Sequence, residues 1–460
     1  MSKTLVIAIF DVGKTNKKLF LFDENYRIRY ERSARFIETT DEDGDPCENL
    51  ESLRLSVFDS LQEVLKLKEF YIKAVNFSTY GASLVYIDEK GQPLPPMYNY
   101  LKDYPDELQE KFYRTYGGKT KLARETASPV LGSLNSGMQL YRIKYQKPGL
   151  FARIKYSLHL PQYLSYLITG KPCTDITSIG CHTGLWDFTK NDYHEWVYKE
   201  GLTEKFAPIV PSAQVMTNAI ANNNYITGVG LHDSSAALIP YLANFHEPFV
   251  LISTGTWCIS LNPFNHSPLT DAELANDCLC YMGYKGTPVK ASRLFAGNEH
   301  ELQVKRIASY FNVNTSIFKT IEYDAAIVSK IRLNKNRQDT LVSRHSSAFS
   351  VKEISQFDNY VQAYHQLMLD IMDQQYQSTN MVLETAKVNR IFVDGGFSKN
   401  SVYMNLLANA FPNVEVFAAS MAQATAVGTA IAIHKAWNNR VLPADIIELK
   451  YYSAPYISTI

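Results

Sequence analysis

The chain has 460 residues, past the size at which one hydrophobic core keeps growing, so two domains of roughly 200 to 250 residues are expected. Lys plus Arg and Asp plus Glu number 46 each, which leaves no basic field for nucleic acid and favours a small-molecule partner. The six cysteines show no paired CxxC spacing, the six-residue opening apolar run is too short for a signal peptide, and no stretch approaches the roughly 18 apolar residues of a membrane span. A soluble cytoplasmic protein with reduced thiols is the expectation.

In chain order, residues 5–10 read as a strand and Leu19-Phe20-Leu21-Phe22 as a second, joined through Asp11-Val12-Gly13-Lys14-Thr15. Gly-Lys-Thr ends many P-loops, but Ala8 stands where such a loop needs its other glycine, and no helix opens after Thr15. The unit is strand, turn, strand. A turn opened by Asp11 and crowded by Thr15, Lys14, Lys17 and Lys18 can offer amides and cations to a polyphosphate while the carboxylate faces a metal; the plain alternative is a lysine-rich hairpin. Residues 24–36 offer a third strand, residues 50–67 have the apolar spacing of a helix, and residues 73–77 and 84–87 read as strands around the turn from Ser78 to Ser83. Near residue 245 the logic restarts with a buried strand over 249–252 and a Ser/Thr/Gly turn, which divides the chain into residues 1–245 and 246–460. Residues 388–417 read as strand, glycine turn, helix and strand. The two similar beginnings hint at a duplicated fold.

Three further turns carry chemistry. Ser253-Thr254-Gly255-Thr256 packs hydroxyls and a glycine into four residues, which suits a loop receiving a terminal phosphate, or is a simple turn before Trp257. Gly395-Gly396 lets a ligand approach the backbone, with Ser398 positioned to cap the next helix; glycines there also serve as punctuation. Asp233, delivered by a glycine-rich loop just before a small-residue stretch, can accept a hydroxyl proton during attack on phosphorus, or can cap a helix. His232 is then a substrate partner or a surface residue.

The order of these turns, together with Pro161-Gln162-Tyr163-Leu164 through Ile168-Thr169-Gly170, Thr174-Asp175 and Thr183-Gly184-Leu185-Trp186-Asp187, resembles the FGGY family of carbohydrate kinases over nearly the whole chain. The resemblance implies an α/β fold of two actin-like (ribonuclease H-like) domains with a nucleotide and sugar cleft between them. It also implies ATP as phosphate donor, Mg2+ as cofactor and a small-molecule sugar as acceptor, with no nucleic acid or membrane partner; a homodimer is compatible with it. By position, Asp233 corresponds to the catalytic base and Asp11 to the carboxylate that holds magnesium. Gly13, Lys14, Thr15, Lys18, Gly255 and Thr256 fall at phosphate contacts, and Gly395, Gly396, Ser398 and Asn400 along the nucleotide cleft. Lys14 and Lys18 replace the family's threonine and arginine, and Gln423 replaces a glutamate in the closing Ala422 to Ala432 run.

The His232-Asp233 pair followed by small residues most resembles the rhamnulokinase and fuculokinase branches, which implies transfer to the primary hydroxyl of a ketose, such as the 6-deoxy ketohexoses L-rhamnulose or L-fuculose. Tyr80, Gly81, Gln162 and His232 are the expected substrate contacts, Tyr80 being a pocket wall or a core residue. Serines at Ser78 and Ser83 stand where rhamnulokinases carry carboxylates, so the sugar contacts differ from theirs. The rival readings are a kinase of xylulose, ribulose or glycerol, a non-catalytic sugar and nucleotide sensor, and an actin-like filament or chaperone.

Overall fold

The computed structural model describes residues 3–14, 17–34, 37–219, 224–333, 346–383, 387–421 and 423–453. Its N-terminal half is built on a seven-stranded sheet. The strands are β1 (Thr4–Val12), β2 (Lys17–Asp23), β3 (Ile28–Ala34), β4 (Phe70–Thr79), β5 (Val215–Met216), β6 (Ile226–Gly228) and β7 (Leu231–His232). They run in the order β5-β6-β4-β1-β2-β3, with β7 also on β4. The hairpin β1–β2 is antiparallel, whereas β4 runs parallel to β1 and β6 parallel to β4.

The C-terminal half repeats this plan. Its strands are β8 (Phe249–Thr254), β9 (Cys258–Asn262), β10 (Cys278–Met282), β11 (Pro288–Leu294), β12 (Arg390–Gly395), β13 (Glu415–Ser420) and β14 (Glu448–Tyr452), in the order β10-β11-β9-β8-β12-β13-β14. The run β11-β9-β8-β12-β13 is antiparallel, antiparallel, parallel, parallel, as is β3-β2-β1-β4-β6. The two beginnings noticed in the sequence, β1 and β8, are therefore equivalent strands of a duplicated unit.

Both central strands are buried on two faces, which explains their unbroken apolar runs. In β1, Val6, Ala8, Phe10 and Val12 point to one core and Ile7 and Ile9 to another. In β8, Val250 and Ile252 divide from Phe249 and Leu251 in the same way. On the outer face of the first sheet lie helices α1 (Leu50–Leu65) and α2 (Leu160–Thr169). Helix α1 is capped by Asn49, whose side chain accepts from the Ser52 amide at 2.9 Å, and it buries Leu53, Val57, Leu61 and Val64 at helical spacing.

The inner faces share α3 (Asp233–Asn244), which follows directly on β7. Ala236 and Ile239 pack with the first sheet, and Leu238 and Tyr241 with the second. Helices α4 (Ala296–Phe311), α5 (Tyr360–Leu383) and α6 (Ser401–Ala410) cover the far face of the second sheet, and α7 (Ala424–Ala432) returns to pack on the first. Among the described residues no helix is long and apolar enough to cross a membrane.

Candidate active site

Register brings the N-terminal chemistry to one end of one sheet. Asp11 pairs with Lys18 on β2 and with Ser78 on β4, and Leu231 and His232 pair with Ser78 and Thr79. The Ser78 hydroxyl donates to Asp11 Oδ1 at 2.9 Å. Burial is the main reason the Asp11 carboxyl is pushed up to about 6; the Ser78 hydrogen bond lowers it, the Asp233 charge raises it further, and Lys18 opposes the rise. Asp11 and Asp233 thus feel each other across this end of the sheet.

Asp233 is the first residue of α3, and the residue at the helix cap is His232. The carboxylate does not cap the helix in the expected sense: its Oδ1 takes the adjacent Ser234 amide at 2.6 Å, and its side chain stays 37% exposed. Such exposure leaves it free to receive a substrate proton. His232 is buried, which excludes the surface reading. Burial lowers the pKa of the ring, the Asp233 charge opposing, so the imidazole is held neutral, with Nε2 lying 3.2 Å from Asp233 Oδ1. Its Nδ1 lies 3.3 Å from the Ser235 hydroxyl, which also reaches the Met282 carbonyl of β10 at 2.9 Å. The His232 amide donates to Thr177 Oγ1 at 3.0 Å, and Thr177 is bonded to the buried Asp175, so Asp233 is delivered by a braced turn.

The sugar-side residues divide into wall and support. Gly81 lies against His232; a Cβ there would stand 3.1 Å from two atoms of the imidazole. Tyr80 is both wall and core, mostly buried with its hydroxyl 3.3 Å from Glu48 Oε1. Gln162 sits fully buried beneath the loop and donates Nε2 to the Gly230 carbonyl at 2.9 Å, so it shapes the turn that presents His232 and Asp233. Lys18 is ion-paired with Glu31 at 2.7 Å. Lys14 points to Glu48 at 3.4 Å and stands over the rings of Tyr80 and Tyr100 at 5.7 and 5.9 Å. Gly13 precedes it in the turn, and Thr15 lies outside the described residues.

In the second sheet, Thr254 joins the two loops. Its hydroxyl donates to the Asp394 carbonyl at 2.6 Å and accepts from the Phe397 amide at 3.0 Å. Gly395 has φ +91°, and a Cβ there would fall 1.9 Å from the Thr254 carbonyl oxygen, so only glycine closes this junction. Beside it, a Cβ on Gly396 would meet nothing within 4 Å, which leaves the backbone open to a ligand. Gly255 and Thr256 are exposed. The expected role of Ser398 is corrected: its hydroxyl turns back to the Gly395 carbonyl at 2.8 Å, and Asn400 caps α6 by accepting from the Tyr403 amide at 3.0 Å. The Asn400 amide also donates to the Tyr364 hydroxyl at 2.7 Å. The two halves meet through α3, where the Tyr241 hydroxyl donates to Asp394 Oδ2 at 3.1 Å.

Two family models cover this architecture. "FGGY family of carbohydrate kinases, N-terminal domain" matches residues 6–238, and "Carbohydrate kinase FGGY, C-terminal domain" matches residues 246–440. The chain belongs to the FGGY family of carbohydrate kinases. A curated FGGY relative, a rhamnulokinase from Mannheimia succiniciproducens, is 23% identical over 265 residues, 55% of this chain and 53% of its own length, so the chain spans about half of that relative. The fold matches a carbohydrate kinase from Novosphingobium aromaticivorans with a TM-score of 0.81 at 22% identity, covering 98% of this chain and 95% of that one. It also matches a xylulose kinase from Lactobacillus acidophilus with a TM-score of 0.76 at 16% identity, covering 98% and 94%.

Within this FGGY fold, three groups near the cleft escape a reading of the sequence. Glu48 is a buried carboxylate that accepts from Lys17 at 2.8 Å as well as from Lys14 and Tyr80. The phenol of Tyr100 has its pKa raised by burial first, then by the charges of Asp233 and Glu48, which places it between them. Gly297, near the start of α4, sits so close to the turn after β8 that a Cβ would lie 1.8 Å from the Gly255 carbonyl oxygen, while the Asn298 amide donates to the Thr256 carbonyl at 3.1 Å. A lone glutamate and a lone tyrosine in turn segments carry no local signal. Gly297, opening a helix after a strand, carries a weak one.

Proposed function

We propose that the protein is an ATP-dependent sugar kinase that transfers the γ-phosphate to the primary hydroxyl of a ketose. The observation that carries this reading is Asp233, a partly exposed carboxylate on the first turn of the helix shared by both halves, beside buried His232 and near enough to Asp11 for the two charges to interact. Phosphoryl transfer asks the protein mainly for position and charge neutralisation. Asp233 takes the proton of the attacking hydroxyl, with the Ser234 amide holding the carboxylate through Oδ1. The Gly255 amide is spent on the Trp257 carbonyl at 2.8 Å, which fixes the turn, and the open backbone at Thr256 and Gly396 supplies donors to the nucleotide phosphates.

Asp11 fits a divalent cation. A partly buried carboxyl with a raised pKa beside a second carboxylate is relieved by positive charge, and Mg2+ usually takes one or two carboxylates, with phosphate oxygens and water completing its shell. Bound there with ATP, Mg2+ neutralises charge on the transferring phosphoryl group. Ser78 holds Asp11 in place, and closure of the halves about α3 excludes competing water.

The acceptor we favour is a 6-deoxy ketohexose such as L-rhamnulose or L-fuculose. Its support is the His232-Asp233 pair together with the rhamnulokinase relative. The test is ADP release with ATP and Mg2+ over a panel of L-rhamnulose, L-fuculose, both xylulose enantiomers, D-ribulose and glycerol. One ketose should raise the rate well above the sugar-free blank, and Asp233→Asn should lower kcat by about 10²-fold or more. A pentulose or glycerol as best acceptor would replace the assignment, and a blank response to every sugar would remove the kinase reading.

A further inference from the structure

Lys14 sits in the hairpin after β1, and the contacts of its ammonium are with the first half of the chain. It lies 3.4 Å from Glu48 Oε1 and over two tyrosine rings that are themselves 5.8 Å apart. Tyr80 is the residue next to Gly81, and Gly81 lies against His232. The corner made by Lys14, Glu48, Tyr80 and Tyr100 is therefore continuous with the wall that holds the base.

Two lysines share the Glu48 carboxylate, and they share it unequally. Lys17 is buried and close at 2.8 Å, whereas Lys14 is held loosely and its side chain is 24% exposed. Lys14 is therefore the more loosely held of the two and the one that can turn toward a ligand. Aromatic faces beside a charged pair suit a carbohydrate, whose C–H faces stack on rings while its hydroxyls bond to the charges.

We propose that Lys14 and Glu48 bind the acceptor and not the nucleotide, taking two adjacent hydroxyls of the sugar, with Lys14 donating to one and Glu48 accepting from the other. This assignment rests on the kinase reading for its substrate and makes Lys14 a specificity-determining residue. It also gives the substitution in the phosphate motif a purpose: the position has moved from phosphate to acceptor. The acceptor it selects carries a vicinal diol beyond the carbon that is phosphorylated.

The experiment compares Lys14→Met and Glu48→Gln with the intact wild-type chain. Sugar and ATP binding are each followed by calorimetry and, where turnover occurs, by separate KM values. Lys14 is only partly buried and Glu48 is buried, so Lys14→Met guards against a fold defect in the Glu48 variant. Losing a hydrogen bond to a charged group weakens binding by about 10- to 100-fold. Lys14→Met is expected to weaken sugar binding by that factor while ATP affinity stays within about twofold. An acceptor lacking one hydroxyl of the diol should lose affinity for the wild type but not for the variant. Weaker ATP binding with unchanged sugar binding would overturn the proposal and return Lys14 to the phosphates, and no change in either would overturn it as well. Sugar binding without turnover would sink the kinase reading alone, since the effect of Lys14→Met on binding still decides the role of the pair. If no panel sugar binds or reacts, both fall.

Discussion

His159 ends the strand below the sugar-side wall, buried, with Nε2 3.1 Å from the Ser136 hydroxyl. Burial, and then the nearby His232, lower its pKa from 6.5 to about 3. The native state therefore holds this ring neutral at pH values where the unfolded chain protonates it. Between pH 6.5 and 3 the unfolded state binds more protons, so stability falls as pH falls through that window. At pH 5 this one residue costs about 2 kcal/mol relative to neutral pH. His159→Gln keeps a partner for Ser136 but does not titrate. Its urea-derived stability should fall by about 2 kcal/mol less than the wild type's between pH 7.5 and 5. Parallel curves for the two proteins would show that the ring finds a counter-charge or solvent on protonation. Buried His232, also lowered by burial, acts in the same direction, so the acid limb and the active site are linked through neutral imidazoles.

Where α3 and α7 cross, a proline and a glycine make the contact. Pro240 lies inside α3 and cannot donate to the Ala236 carbonyl four residues earlier. Gly428 of α7 fills that place; a Cβ there would lie 1.8 Å from the Ala236 oxygen and 3.1 Å from Pro240 Cδ. The freed carbonyl meets the glycine backbone, a close approach of the kind that C–H···O contacts accompany. Gly428→Ala must separate two helices that are packed backbone to backbone, and overpacking of this kind costs typically 1 to about 3 kcal/mol. Chemical denaturation should show that loss, and Ala at Gly149, where a Cβ meets nothing within 4 Å, should not. The individual elements were largely legible: α1 spans Leu50–Leu65 where its apolar spacing puts a helix, and the β1–β2 hairpin and the strand Leu84–Ile87 stand where short apolar runs and turn residues put them. Helix capping was misread at Ser398, because a serine two residues before the true cap, Asn400, can satisfy a turn carbonyl instead. Of the candidate site, the strand-end residues Asp11, His232 and Asp233 could be read because backbone turns announce them. Glu48 and Tyr100 could not, since only the tertiary fold brings their side chains beside Lys14.

At the scale of the molecule, the two sheets are built on one plan, and each keeps a core of its own on its outer face but shares the core on its inner face. The inner face of the first sheet, made by Ile7, Ile9, Phe20, Phe22 and Ala74, is covered in part by Ala426, Val427, Ala430, Ile431, Ile433 and Trp437 from the far end of the chain. The Tyr26 ring packs edge-on against Trp437 with centroids 5.8 Å apart, and the Asn438 amide donates to the Glu24 carbonyl at 2.8 Å. A sequence reading that cuts the chain near residue 245 cannot see this exchange, because α7 looks like the last helix of the second half and its apolar face does not name its partner. The consequence is physical. Residues 1–245 produced alone would expose an aromatic and aliphatic sheet face far larger than a scattered surface patch. Such a fragment should bind a hydrophobic dye, lack near-ultraviolet dichroism and aggregate, whereas the whole chain should unfold in a single transition seen alike by near-ultraviolet dichroism and by backbone signals. A monomeric fragment with sharp, cooperative unfolding would show that α7 is a cover and not part of the core. A shared core also bears on catalysis, because α3 carries Asp233 at one end and Tyr241, bonded to Asp394, two turns on. The helix that joins the two halves is therefore also the one that presents Asp233.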